Sequence, residues 1–183
     1  MEKILSKKFF SRPTIKVARE LIGKHIVRKR RGKNIALTIT EVEAYDGPND
    51  LASHASRGKT ERTKIMFGEA GRFYVYFVYG MHWLANIVTG QKNYPAAVLL
   101  RAGSYCDPIA KKEITINGPA RLAKFLNISK KQNGKRADKK SGAWFEDRGT
   151  RIKPSQIAAQ KRIGVEYAGR IWANKPYRFT LKK

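Results

Sequence analysis

The sequence predicts a single domain of mixed α and β structure. Three observations carry this. The chain has 183 residues and is 42% hydrophobic, enough for one core of ordinary size. Aromatic and β-branched runs recur between Gly, Pro and Asn turn signals. Two stretches, 14–22 and 117–127, instead carry helical apolar spacing with matching end signals. No internal repeat and no long linker divides the chain.

From the N-terminus, Ser11-Arg12-Pro13 opens the first helix, and Gly23 follows its end. Pro near the first turn and Gly past the last are the expected punctuation. Ile15, Ala18 and Ile22 recur at helical spacing and are expected to face the core. His25 to Arg30 is a possible strand, and Arg31-Gly32-Lys33-Asn34 a turn. Arg28, Lys29, Arg30, Arg31 and Lys33 make that turn densely basic. It reads equally as a solvated tip or as a phosphate contact.

Ile35 to Tyr45 is a β-run closed by Asp46-Gly47-Pro48. Alternation predicts that Ile35, Leu37, Ile39, Glu41, Glu43 and Tyr45 share one face. The two carboxylates then lie ~6–7 Å apart at two-residue strand spacing. A carboxylate at the edge of a core is partly desolvated, which raises its pKa and makes it a better base. The other reading is an ordinary solvated or ion-paired acid. Leu51 to Thr63 is polar, basic and loop-like, and His54, Arg57, Lys59 and Arg62 could reach phosphate or a base edge.

Gly71 to Val88 is the most distinctive stretch. Two aromatic and β-branched runs meet at Tyr79-Gly80-Met81-His82 and predict a β-hairpin. Phe73, Val75, Phe77 and Tyr79 fall on one face, and Tyr74, Tyr76 and Val78 on the other. Both faces are apolar or aromatic, so much of the hairpin is expected to be buried. Tyr79 stands at the tip, beside a glycine free to take positive φ. It reads as a capping residue or as a wedge able to enter a base stack.

Pro95 to Gly103 is a short apolar run, expected as a buried strand ending in Arg101. A guanidinium there needs a carboxylate partner, which Glu43 or Glu41 could supply. Asn117 is the expected N-cap of the second helix, with Leu122, Phe125 and Leu126 as its apolar stripe. Residues 128–142 carry many cations and almost no apolar side chains, so a mobile basic loop is expected. Ser155 to Lys161 fits either helix or strand. Tyr177 to Leu181 is the expected last strand.

Charge restricts the function. The chain holds 39 Lys plus Arg against 14 Asp plus Glu, a net +25. Such self-repulsion points to a polyanionic partner, nucleic acid or anionic membrane. No stretch approaches the ~18–20 apolar residues of a span, and the N-terminus lacks an apolar signal core. Cys106 is the sole cysteine, which excludes an internal disulfide and suits a reducing, cytoplasmic setting. His25, His54 and His82 are scattered, and no zinc cage can be assembled from them and one thiol. The zinc-dependent base deaminases are excluded on the same ground.

Taken together, Thr40-Glu41-Val42-Glu43-Ala44-Tyr45, Ser53-His54 to Arg62, Tyr74-Val75-Tyr76, Tyr79-Gly80-Met81-His82, Asn86, Val98-Leu99-Leu100-Arg101 and Asn117-Gly118-Pro119 resemble the alkyladenine (3-methyladenine) DNA glycosylases. The order and spacing agree from about Phe9 to Leu181. The resemblance implies a single α+β domain, a curved antiparallel β-sheet flanked by helices with a protruding hairpin. It also implies a monofunctional, cofactor-free and metal-free enzyme of base-excision repair. Such enzymes flip 3-methyladenine, 7-methylguanine or hypoxanthine out of duplex DNA and leave an abasic site. Carried across, Glu43 matches the base that activates water, and Arg101 the arginine that helps hold it. Tyr45, His54 and Tyr76 match the residues enclosing the flipped base. Asn86 matches the asparagine that disfavours guanine, and Tyr79 the intercalating tyrosine. His82 departs from the tyrosine of the vertebrate enzymes, and the loop Gly90 to Tyr94 has its own length.

The resemblance implies double-stranded DNA as the partner. A monomer is expected. A non-catalytic basic nucleic-acid-binding module of the same fold is the competing reading, and a lyase acting through a lysine Schiff base is a third. The module and the glycosylase separate at Glu43, because a binding module has no use for a carboxylate among phosphates.

Overall fold

A computed structural model describes residues 2–182. The described elements run β1 (Lys3–Ile4), α1 (Lys7–Phe10), α2 (Thr14–Leu21), β2 (His25–Arg30), β3 (Lys33–Asp46), β4 (Phe73–Val78), β5 (His82–Val88), β6 (Ala96–Asp107), β7 (Lys112–Asn117), α3 (Pro119–Phe125), β8 (Ala143–Asp147), β9 (Ile157–Gln160), α4 (Gly169–Ala173) and β10 (Arg178–Leu181). Single 3₁₀ turns at His54–Arg57 and Lys64–Phe67 interrupt the long β3–β4 connection.

The ten strands form one antiparallel sheet, ordered β1-β8-β2-β3-β6-β5-β4, with β7 on β6, β10 on β3 and β9 on β10. β3 and β6 are its spine. At 14 and 12 residues, each can take two neighbours along one edge. β2 pairs with the first half of β3 and β10 with the second. β5 and β7 share the outer edge of β6. The sheet therefore forks at both spine strands and curves. The mixed α+β reading with one domain holds. β6 runs past Arg101 and turns into β7, a hairpin the apolar run does not predict.

The pairing of β3 with β6 slips twice. Ile39 faces Gly103, Glu41 faces Ala102 and Val42 faces Leu100. Thr40 and Arg101 are the extra residues, one on each strand. A bulge reverses the phase of alternation. Leu37 and Ile39 point into the core before it, and Val42 and Ala44 after it. Glu41, Glu43 and Tyr45 consequently do not share a face with Leu37 and Ile39, as unbroken alternation predicts. They emerge on the opposite face, where Arg101 also lies.

The main core joins α2 and α3 to the spine through Val17, Leu21, Leu37, Leu100 and Leu122. α2 buries Thr14, Val17, Ala18 and Leu21, so its inward stripe is set one position away from the expected one. Ile15 is only partly buried, and Ile22 is buried from beyond the helix end. α3 is capped by Gly118 at φ 102° and begins at Pro119. Asn117 is the last residue of β7 instead of an N-cap. Leu122 and Leu126 are buried, with Phe125 packed at the edge.

Residues 128–142 are also not the loose loop that their composition predicts. Ser129 and Gln132 form a reciprocal capping box. The backbone then bonds along β4: Phe73 N–H to Lys135 O at 2.9 Å, Gly134 N–H to Phe73 O at 2.8 Å, and Ala137 N–H to Gly71 O at 2.8 Å. Ile128 and Ala137 reach the core. A few buried anchors and an unpaired strand edge outweigh the lysine content.

Candidate active site

β3, β4, β5 and β6, the 53–57 turn and residues 163–167 enclose a cavity of about 410 Å³. Its lining brings together Glu43, Tyr45, His54, Tyr76, Tyr79, Asn86 and Arg101, the seven residues to which the family resemblance assigns roles, while Glu41, Arg57, Lys59 and Arg62 lie outside it. Cross-strand register explains much of this. Glu43 pairs with Leu99, and Leu99 with Asn86. Three strands therefore present neighbouring side chains at one level.

Glu43 is fully buried at the cavity floor. Its Oε1 accepts the Ile163 N–H at 2.8 Å. Its Oε2 accepts the Tyr45 hydroxyl at 3.0 Å and lies 3.2 Å from Arg101 Nη1. A carboxylate has about four lone-pair sites, so these three contacts leave room for one further donor, such as water. Burial pushes the Glu43 carboxyl above the usual carboxylate range, against the opposing pull of Arg101, the Ile163 amide and Tyr45. Burial, then the Glu43 charge, raises the Tyr45 phenol well above its ordinary value. Tyr45 therefore remains a proton donor in that bond.

Arg101 has both of the partners proposed for it. Its Nε donates to Glu41 Oε1 at 3.0 Å while Nη1 faces Glu43. Arg178 Nη1 reaches the same Glu41 oxygen at 3.2 Å. Glu41 thus holds the two arginines and leaves the cavity to Glu43. Among the described residues, nothing engages Arg101 Nη2.

Aromatic side chains form the walls. His54 and Tyr76 meet edge to face at 4.6 Å. His54 Nδ1 shares a hydrogen bond with the Tyr74 hydroxyl at 3.0 Å, and Arg62 sits over the Tyr76 ring at 5.0 Å. Burial and the Arg62 charge lower the His54 pKa to about 4, so the imidazole is neutral near pH 7. Asn86 is buried, and its Nδ2 donates to Tyr74 O at 2.9 Å. That bond fixes the amide and leaves Oδ1 on its other side.

The hairpin emerges beside the cavity. Its base is buried at Phe73, Tyr74 and Val75, but Phe77, Tyr79 and Met81 are exposed, so the expected burial holds for only half its length. Tyr79 itself takes φ 51° and Gly80 φ 65°, and Met81 N–H bonds to Val78 O at 3.1 Å. Positive φ at both central residues is the type I′ pattern. An aromatic residue at positive φ is strained, and here the strain holds an exposed ring at the tip.

Sequence reasoning missed Ile163, Arg162, Asp50 and Tyr167. Ile163 acts through its backbone N–H, and no side-chain pattern advertises an amide. Among the described residues, no cluster of three or more His, Cys, Asp or Glu could hold a metal ion. No described helix is long and apolar enough to cross a membrane.

The profile of the family described as "Methylpurine-DNA glycosylase (MPG)" matches residues 8–183. A protein of Methanocella arvoryzae, provisionally named 3-methyladenine DNA glycosylase, is 44% identical over 190 residues, covering 98% of this chain and 92% of its own. Proteins of the same provisional name are 42% identical in Anaeromyxobacter sp. (97% of this chain, 89% of theirs) and 40% identical in Legionella pneumophila strain Paris (100% and 96%). With the match spanning nearly the whole chain, the protein belongs to the methylpurine-DNA glycosylase family, and is by that membership a DNA glycosylase of base-excision repair.

Proposed function

We propose that the protein removes alkylated or deaminated purines, 3-methyladenine, 7-methylguanine and hypoxanthine, from double-stranded DNA by hydrolysing the N-glycosidic bond. It leaves an abasic site, works as a monomer and uses no metal or organic cofactor. The cytoplasm is its proposed location, in keeping with an exposed free thiol at Cys106. The observation that carries the reading is a fully buried carboxylate with a raised pKa on the floor of an aromatic-walled cavity, in a chain of net charge +25.

A base inside a duplex is out of reach, so it must be extruded at a cost of a few kcal/mol, least for a damaged pair. Tyr79 fills the gap that the base leaves. The cavity, at about 410 Å³, lies toward the lower end of the ~300–1,000 Å³ range of small-molecule sites and takes the flipped nucleotide. Tyr45, Tyr76 and neutral His54 enclose the base. Their electron-rich faces favour an alkylated purine, which carries positive charge. Asn86 borders the same space and disfavours guanine.

Cleavage generates an oxocarbenium-like sugar. Glu43 accepts the proton of the attacking water through its remaining lone pair and stabilises the cation. Arg101 helps hold that water while keeping Glu43 oriented. An alkylated purine leaves readily because it departs neutral. Hypoxanthine starts neutral and depends more on the protein.

The test uses a duplex with one hypoxanthine and a separately alkylated DNA, treated with wild type or Glu43→Gln. Free base and alkali-sensitive strand breaks are scored. Release by the wild type alone supports the reading. Tight binding with no release from either DNA would reduce the protein to a binding module. Borohydride trapping on an abasic duplex would expose a lyase through a covalent adduct.

A further inference from the structure

Beneath the cavity, Arg162 and Asp50 form an ion pair whose two side chains are both fully buried. The pairing is bidentate: Nη1 lies 2.5 Å from Oδ2, and Nη2 2.8 Å from Oδ1. Well-packed apolar residues commonly replace a buried pair without loss of stability, so stability alone does not account for it. Its contacts do. Nη1 also donates to Ala44 O at 2.9 Å and Nη2 to Trp172 O at 3.2 Å. The guanidinium stacks 4.8 Å from the Tyr45 ring.

The pair's surroundings lead to the cavity walls. The next residue, Ile163, supplies the N–H bound by Glu43 Oε1. Tyr45, under the guanidinium, supplies the hydroxyl bound by Oε2. Asp50 accepts the Asp46 and Ala52 N–H groups, each at 3.1 Å, and so shapes the chain leading from Tyr45 to His54. One planar cation thereby sets the origin of both neutral donors to Glu43.

We propose that Arg162, clamped by Asp50, is a positioning residue that orients the Glu43 carboxylate through the Ile163 amide and the Tyr45 ring. The inference rests on the glycosylase reading for its effect on rate. Lysine cannot replicate the role, because it lacks the planar fork that meets Asp50, Ala44 and Trp172 together.

The experiment uses the double variant Asp50→Asn/Arg162→Gln, which removes both charges and strands neither. Single-turnover base release from a hypoxanthine duplex is measured against pH, well below the melting temperature. The plateau rate is expected to fall about tenfold as the base loses its alignment. The acid limb is expected to move up by about one pH unit, because a displaced amide no longer favours the ionised carboxylate. Tyr45 and the Ile163 amide are the two groups the variant releases, while the others facing Glu43 remain in place: Glu41 on β3, Arg101 on β6, Tyr76 on β4 and Tyr167. A lower melting temperature with an unmoved acid limb would overturn the proposal.

If the double variant does not fold, Arg162→Lys gives the same readout, and an unmoved limb has the same meaning. A ¹³C titration of the Glu43 carboxyl in wild type and variant reads the shift without substrate. Absence of base release by the wild type therefore refutes the glycosylase reading alone, and an unshifted carboxyl refutes the positioning role alone.

Discussion

Glu43 and Tyr79 both line the cavity, yet one is fully buried and the other 87% exposed. Glu43 has three protein partners, and its surroundings are assembled by folding. Tyr79 is held out by a strained type I′ turn, with Phe77 and Met81 exposed beside it. Under the proposed function the difference divides the labour. Glu43, as the chemical group, is preorganised in a buried site, where electrostatic effects are strong. Tyr79, as the binding group, stays in water until a duplex supplies its partner. Changes at the floor are accordingly expected to alter rate, and changes at the tip to alter affinity.

The largest expected effect is at the floor. Glu43→Gln should reduce base release by about 10²–10⁴-fold, the usual contribution of a positioned base. Lesion-duplex affinity, read by fluorescence anisotropy, should be equal or tighter. A variant that lost affinity and rate together would erase the division.

Salt acts on the exterior. With a net charge of +25, nonspecific duplex binding is expected to weaken by on the order of 10³-fold between ~50 and ~200 mM salt. Single-turnover release at saturating protein should hardly change, because the ion pairs around Glu43 are largely buried and screened little by the added ions. A rate that followed the salt would place the limiting electrostatics outside the cavity.

Tyr79→Ala is expected to weaken lesion-duplex binding about 5–100-fold, the span of one lost stacking contact. The melting temperature should stay within a degree or two, since the ring packs against little of the fold. A large drop in stability would make Tyr79 a structural residue.

The smallest effect is in pH. The proposed reaction needs ionised Glu43, and burial raises its pKa. Base release should therefore fall as pH drops through a midpoint above the ordinary Glu value of ~4.3. His54, with its pKa lowered to about 4, stays neutral on the plateau near pH 7. A midpoint at or below the ordinary value would mean that the carboxylate is better solvated than its surroundings imply.

Much of this arrangement was legible in the residues alone. Turn punctuation located the hairpin and the last strand, charge named a polyanionic partner, and an arginine on an apolar run called for a carboxylate. These signals are local, or sum over the whole chain. The faces of β3 were not legible, because the bulge at Thr40 exists only in the pairing with β6. Periodicity within one strand cannot register it, and it is what turns Glu43 from the core toward the cavity. The order of residues 128–142 depends on the free edge of β4, and the Glu43 donor at Ile163 comes from 120 positions away. Composition and spacing thus settled which groups the chain has and which elements carry them. Strand register and long-range backbone contacts decided where those groups meet, because such contacts form between segments that share no local pattern.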